Sequence, residues 1–542
     1  MLKTKRRAAV GALTAALAVV GLPATVGTAA AEPAVRAADV AATTPIKWNA
    51  CPQGTLPPSL PPEQAKQYSC AYYRVPIDHD NAALGTIDIA LLRRAAAKPD
   101  TKIGSLFLNP GGPGGSGYTM PVGAHNIFNA DVLDRFDIIG FDPRGVGRSN
   151  PLRCFTTAED YDEVFARQVN VPLSRTEISD SLTAFRDYGD FCKRNAGTLL
   201  NHMSTKDVVR DLDVLRAAAG DAKLNFVGFS YGTLIGSTYA NMFPRNARAL
   251  VLDGNVDPEL RTRDGLQYDR ERARGFETSL TGFLTECTAA GPRCAFSPGQ
   301  PRQKFDELRD HLRKQPITLP GGGSVTIHSF TGGVSRTLYN PAGFPSLAEQ
   351  LQELYEVLHP SSAPAAKSKV AAADVSVLSG QTRFQRYDVE PDTPYTSDDS
   401  YFAVNCSDKL FRHRQERLPA IAAQWERESP TFGRSQAFSD AAACPVWPGK
   451  EDVYRGPWNA ETENPVIVIG NYYDPATQYE FSRRMASQLG NARLVSVDAH
   501  GHCILGDSKP VDDLTAAYLI NLTAPAPGQV YKPDAAPFGS PA

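Results

Sequence analysis

Short apolar runs separated by turn residues organise the chain. Ser105-Leu-Phe-Leu-Asn109, Phe136–Phe141, Leu224–Phe229, Ala249–Leu252, Pro465–Gly470 and Ala492–Val497 are each four to six residues long, and most end near Gly, Pro or Asp. Continuous apolar runs of that length predict strands buried on both faces, as in a parallel sheet. Tyr72–Pro76 and Thr86–Leu92 predict an opening hairpin pair. Between the runs lie helical patterns. The clearest is Thr205–Ala219, with Val208, Val209, Leu212 and Leu215 on one stripe and Gly220 as its stop. Strands alternating with helices predict an α/β, mostly parallel, doubly wound sheet.

The alternation lapses between Leu252 and Pro465, where helical patterns occur around Phe305–Lys314 and Ser346–Leu358. This predicts a mainly helical lid inserted into the sheet domain. A separate C-terminal domain is the alternative, and the strand-like runs at 465–470 and 492–497 weaken it. The expected organisation is a signal peptide at 1–31, a flexible or pro-segment at 32–46 and a first part of the sheet core at 47–260. The lid follows at 261–455, the last part of the core at 456–523 and a flexible Pro/Ala-rich tail at 524–542.

The leader rests on Lys3, Lys5, Arg6 and Arg7 followed by the apolar run Ala8–Leu22 and the small residues Ala29-Ala30-Ala31. That order matches a secretory signal with an A-x-A cleavage site. Its removal takes away four positive charges and no acid, so the net charge falls from −3 to −7. With 42% hydrophobic and 21% charged residues over 542 positions, global disorder is excluded. The balance is not the basic one a nucleic-acid binder needs. Export gives meaning to nine cysteines, Cys51, Cys70, Cys154, Cys192, Cys287, Cys294, Cys406, Cys444 and Cys503. No C-x-x-C metal spacing occurs. Proximity suggests Cys51–Cys70, Cys154–Cys192, Cys287–Cys294 and Cys406–Cys444, with Cys503 left over, although sequence alone leaves connectivity open.

Candidate chemistry centres on Gly228-Phe-Ser230-Tyr-Gly232, a G-x-S-x-G placed between a strand pattern and a helix with small residues at Gly236, Ser237 and Ala240. A sharp strand-to-helix turn needs glycines and exposes the serine hydroxyl above the sheet. A serine nucleophile needs a histidine base oriented by a carboxylate, in the chain order Ser, Asp/Glu, His on this fold. Asp474 follows one late strand run and His502 the other, with His500 as a competing base. Oxyanion donors are expected at Tyr231, the residue after the nucleophile, and in the glycine-rich loop Asn109-Pro-Gly111-Gly112-Pro-Gly114-Gly115, at Gly111 or Gly112. Arg144 is expected to pair with a carboxylate and hold the glycine-rich loops. Asp408, Asp398 and Asp399, in the lid, are candidates for a substrate ammonium, Asp408 foremost.

Pro110-Gly-Gly-Pro-Gly114 resembles the His-Gly-Gly-Pro-Gly loop of the proline iminopeptidase family, and Asp142-Pro-Arg-Gly-Val-Gly-Arg-Ser149 that family's Asp-x-Arg-Gly-x-Gly-x-Ser segment. Gly228–Gly232, Asp474 and Gly501-His502 match its triad positions. The arrangement is closer still to the secreted bacterial tripeptidyl aminopeptidases, which share the leading Asn109-Pro110, Asn405-Cys406-Ser-Asp408 and Ala443-Cys444-Pro-Val-Trp447. The resemblance spans nearly all of the mature chain. It implies an α/β-hydrolase fold with a lid and release of short peptides from free N-termini. Pro110 stands where the wider group has histidine.

The expectation is therefore a secreted, extracellular serine exopeptidase, a monomer acting on peptide or protein N-termini, with no cofactor, metal, nucleic-acid or membrane partner after signal cleavage. A carboxylesterase or lipase would share the triad. A catalytically dead binding protein is disfavoured by Ser230, Asp474 and His502 in working order. A dehalogenase or epoxide hydrolase would carry Asp at position 230.

Overall fold

The apolar runs become the strands of one nine-stranded sheet. The computed structural model describes residues 44–360, 375–379 and 397–539, so the expected signal segment and most of the segment after it lie outside the described residues. β1 (Tyr68–Pro76) and β2 (Thr86–Arg94) form the antiparallel opening pair. β3 (Gly104–Asn109), β4 (Phe136–Phe141), β5 (Leu224–Phe229) and β6 (Ala247–Asp253) follow. A two-residue pair, β7 (Ile317–Thr318) and β8 (Ser324–Val325), stands apart in the insertion. β9 (Val466–Tyr473), β10 (Ala492–His500) and β11 (Val530–Tyr531) complete the sheet, in the order β1-β2-β4-β3-β5-β6-β9-β10-β11. From β4 to β11 neighbouring strands are parallel. Every residue of β3 and β4 is buried, which is what helices on both faces of a parallel sheet require.

The helix Thr205–Ala218 shows how sequence sets local structure. Ser204 caps its first turn by accepting from the Asp207 amide at 3.2 Å, and Val208, Val209, Leu212 and Leu215 turn inward to the core.

β6 and β9 are hydrogen-bonded neighbours, with Leu252 opposite Val468, yet residues 254–465 lie between them in sequence. The lid is thus an excursion from the middle of the sheet. It carries its own apolar core, in which Phe283, Phe305, Phe330 and Phe344 are fully buried. A second excursion joins it. The helix Arg175–Asn195, placed by the sequence reading within the sheet domain, packs on the lid. Its Tyr188 hydroxyl donates to Asp399 at 2.5 Å, and the Tyr188 and Trp447 rings meet at 5.4 Å. Four disulfides form, Cys51–Cys70, Cys154–Cys192, Cys287–Cys294 and Cys406–Cys444, and Cys503 is a free thiol.

The C-terminal tail departs from the expectation of flexibility, while of the segment 32–46 only residues 44–46 are among the described residues. Ile46, inside the segment 32–46 expected to be flexible, is buried, and its amide donates to Ala218 O at 2.9 Å. The tail 524–542, expected to be flexible, instead supplies β11, which pairs with Ser496 and Val497 at the sheet edge. Farther on, Phe538 is buried against the rings of Phe283 and Phe344. The prolines keep the tail out of a helix but suit an extended chain that pairs with the edge of the sheet and whose Phe538 finds a pocket. Deleting residues 523–542 should therefore lower the thermal midpoint, since burying one Phe contributes roughly 2–3 kcal/mol. An unchanged melt would show that the tail does not dock.

Candidate active site

The nucleophile turn is forced by crowding. A Cβ at Gly228 would lie 2.4 Å from Gly232 O, and one at Gly232 would lie 2.8 Å from Asn109 O. Between them Ser230 takes φ +55°, a left-handed conformation rare for a residue with a Cβ. Such strain persists only where surroundings hold it. Here the Ser230 amide donates to Asp253 O at 2.9 Å.

Asp474 and His502 meet at the ends of β9 and β10. His502 Nδ1 lies 2.9 Å from Asp474 Oδ2 and 3.0 Å from Oδ1. With Nδ1–H donating to the carboxylate, Nε2 is left as the proton acceptor. Asp474 is fixed in turn by the amides of Ala476 and Thr477, at 2.9 and 2.8 Å, and by the Thr477 hydroxyl at 3.0 Å. Burial alone would depress the His502 pKa, but the charge and hydrogen bond of Asp474 outweigh it and raise the pKa above the ordinary histidine value. His500, the competing base, stacks on Tyr473 with ring centroids 4.4 Å apart, and burial pushes its pKa down to about 4. It belongs to the packing of the sheet edge.

The glycine-rich loop after β3 lies against the nucleophile turn. A Cβ on Gly111 would sit 2.8 Å from both Ser230 Cβ and the Tyr231 amide nitrogen. The Gly111 amide itself donates to Asn109 Oδ1 at 2.9 Å. Gly112 lines the cleft with Ser230 and Tyr231. Asp142 braces the loop, accepting from Ser116 Oγ at 2.5 Å, the Tyr118 amide at 3.2 Å and the Arg148 amide at 2.8 Å. Arg144 does not. It is fully buried in a two-pronged pair with Asp211, at 2.7 and 2.8 Å, and donates to the carbonyls of Ile77 and His202.

Asp408 and Asp399 are not where a substrate ammonium could reach them. Asp408 is 1% exposed, and its two oxygens accept from the Thr205 amide at 3.0 Å and the Thr205 hydroxyl at 2.5 Å. It sits behind Tyr231, whose hydroxyl contacts Thr205 Oγ1, and burial pushes its pKa up to about 6. Asp399 is buried beneath Tyr188 and the Cys154 amide, and burial pushes its pKa up to about 7. The side chain of Asp398 lies outside the described residues.

Three residues escaped the sequence reading. Thr477 also comes within 3.2 Å of His502 Nδ1, and Tyr339 of the lid accepts the His502 amide at 2.9 Å while its ring stands edge-on to the imidazole. Asp253 accepts the amides of Ile504 and Leu505 on one carboxylate oxygen, at 2.8 and 2.9 Å. Only Thr477 left a readable trace, as the Thr three residues after the acid in Asp474-Pro-Ala-Thr477. Among the described residues no group of three His, Cys, Asp or Glu is placed to hold a metal ion.

This arrangement suits acyl transfer. The Ser230 hydroxyl attacks a carbonyl, His502 takes its proton and returns it to the leaving group, and backbone amides meet the developing oxyanion. Ser230→Ala and His502→Ala should each cost on the order of 10⁴–10⁶ in rate while His500→Ala stays active. An inactive His500→Ala beside an active His502→Ala would reverse the assignment of the base. Because the base works neutral and its pKa is raised, the acid limb of kcat/KM should fall at a pH above about 6.5. Thr477→Val should lower kcat by roughly tenfold with KM little changed, the loss of one hydrogen bond to a charged group. An equal fall in melting temperature with no kcat change would assign Thr477 to stability alone.

The alpha/beta hydrolase fold family matches residues 104–284, and the TAP-like protein family matches residues 429–531. The chain is 29% identical over 497 residues to the serine protease Hip1 of Mycobacterium tuberculosis, covering 89% of this chain and 90% of that protein. It is 28% identical over 488 residues to the tripeptidyl aminopeptidase of Streptomyces lividans, covering 87% and 85% of the two chains. It is also 28% identical over 495 residues to carboxylesterase B of Mycobacterium tuberculosis, covering 88% of each. A strained Ser230 beside a paired Asp474–His502 and relatives that match across core and lid lead to one assignment: the chain is a serine peptidase on the α/β-hydrolase fold, similar to a tripeptidyl aminopeptidase.

Proposed function

We propose that the protein is an exported exopeptidase that releases tripeptides from free N-termini through an acyl-enzyme on Ser230. What carries the reading is the way the lid walls the nucleophile. Arg261, Tyr268, Arg272, Tyr339, Tyr401 and Asn405, all from the insertion, line the space beside Ser230. A lid that walls the nucleophile limits how much of a chain can lie before the scissile bond. Similarity to a tripeptidyl aminopeptidase extends through the lid and supports the three-residue product.

The signal pattern at 1–31 and the four disulfides support export, since such bonds persist in oxidising compartments. Among the described residues no helix is long and apolar enough to cross a membrane. The proposed enzyme acts as a monomer on peptide N-termini, without a cofactor or nucleic acid. A carboxylesterase is the second reading, and the similarity to carboxylesterase B is the observation that favours it.

Peptide and ester substrates separate the two. Acetylating the N-terminus of a tripeptide p-nitroanilide should cut kcat/KM about a hundredfold, equivalent to roughly 2.7 kcal/mol. Equal rates on free and acetylated peptides, or cleavage within long proteins, would count against the exopeptidase. Efficient turnover of short acyl esters alone would favour the esterase.

A further inference from the structure

The cavity beside Ser230 is small, about 50 Å³, and begins at Gly112, Ser230 and Tyr231. It has room for a polar head group and not for a whole peptide, because one water needs roughly 10–15 Å³ of such space. Its wall is rich in donors. Arg261 is only 4% exposed, its guanidinium lies 5.7 Å and 5.3 Å from the ring centres of Tyr231 and Tyr268, and it donates through Nη2 to Asn405 Oδ1. Arg261 Nε and Asn405 Nδ2 are buried and have no partner, although Asn405 is only 1% exposed. Arg272, the second guanidinium in the wall, donates at 3.4 Å to Ala476 O and stands 3.8 Å from Asp269.

No carboxylate lines this cavity. The nearby acids are engaged behind it. Asp269 and Asp440 clamp the buried Lys409 ammonium at 2.6 and 2.5 Å, and Asp408 is held by Thr205. Arg261 Nε and Asn405 Nδ2, buried donors with no acceptor, beside the Arg272 guanidinium make a site for an acceptor. A carboxylate satisfies it best, because its two oxygens match the guanidinium fork.

We propose that this cavity binds the acidic side chain of the substrate residue that contributes the scissile carbonyl, with Arg261 and Arg272 setting a preference for Glu or Asp there. The position follows from the lining. Ser230, Gly112 and Tyr231 are part of the lining, so the side chain of the residue that becomes bonded to Ser230 reaches this cavity. The proposal deepens the exopeptidase reading and rests on its acyl-enzyme.

The test compares Ala-Ala-X p-nitroanilides with X as Glu, Gln, norleucine or Lys, alongside N-acetyl-X p-nitrophenyl esters of the same residues. Glu should exceed Gln by at least tenfold in kcat/KM, with Lys lowest. Arg272→Gln should bring the Glu-to-Gln ratio close to one, and Arg261→Gln serves as the second variant. Glu and Gln cut equally well in the native protein, or a Glu preference intact in both variants, overturns the proposal. Esters that show the Glu preference while no anilide is cut uphold the pocket and refute the peptidase reading. Cleavage of none of these substrates overturns both.

Discussion

Asp253, the last residue of β6, ties the catalytic parts together. Its carbonyl accepts the Ser230 amide at 2.9 Å and faces the Cys503 thiol at 3.4 Å, and its carboxylate accepts the amides of Ile504 and Leu505. The nucleophile turn and the histidine turn are thus pinned to one residue, with Ser230 and Cys503 both at positive φ around it. Burial pushes the Asp253 carboxyl up to about 6, and two backbone donors hold it in place. The strain at Ser230 survives because these bonds leave the turn no relaxed alternative.

The lid departs at the next residue. A Cβ on Gly254 would come 2.7 Å from Cys503 Sγ and 3.2 Å from His502 Cε1, so the chain can leave the sheet there only as glycine. Its departure point and the catalytic histidine are therefore in contact, and the lid returns to the same place through Tyr339, whose carbonyl holds the His502 amide. Access and catalysis are mechanically joined.

Behind the cleft the lid carries a charged interior. Lys409 is buried between Asp269 and Asp440, and Arg261 lies over two tyrosine rings. Buried charges persist only when paired, and removing one partner costs far more than the pair contributes. This network holds the guanidinium-rich wall rigid. Asp408, in sequence a candidate for the substrate ammonium, is instead a buried brace for Thr205, which contacts Tyr231.

The chain by itself determined what depends on local order: the strand runs, the helix at Thr205–Ala218, the serine between its glycines, and the Ser, Asp, His sequence at strand ends. These are legible because burial on both faces of a sheet, capping and left-handed turns each leave a short-range pattern. The disulfide neighbours were legible for the same reason, being close in sequence. Tertiary structure decided the rest. It sent Arg144 and Asp408 into the interior, packed the helix Arg175–Asn195 on the lid, and turned the tail into β11. It also brought Thr477, Tyr339 and Asp253 to the histidine and two arginines to the nucleophile. Whether an acid or an arginine faces water, a partner or a substrate depends on which distant segment packs over it, and that is set by closure of the sheet and lid around one another, not by the residues beside it in the chain.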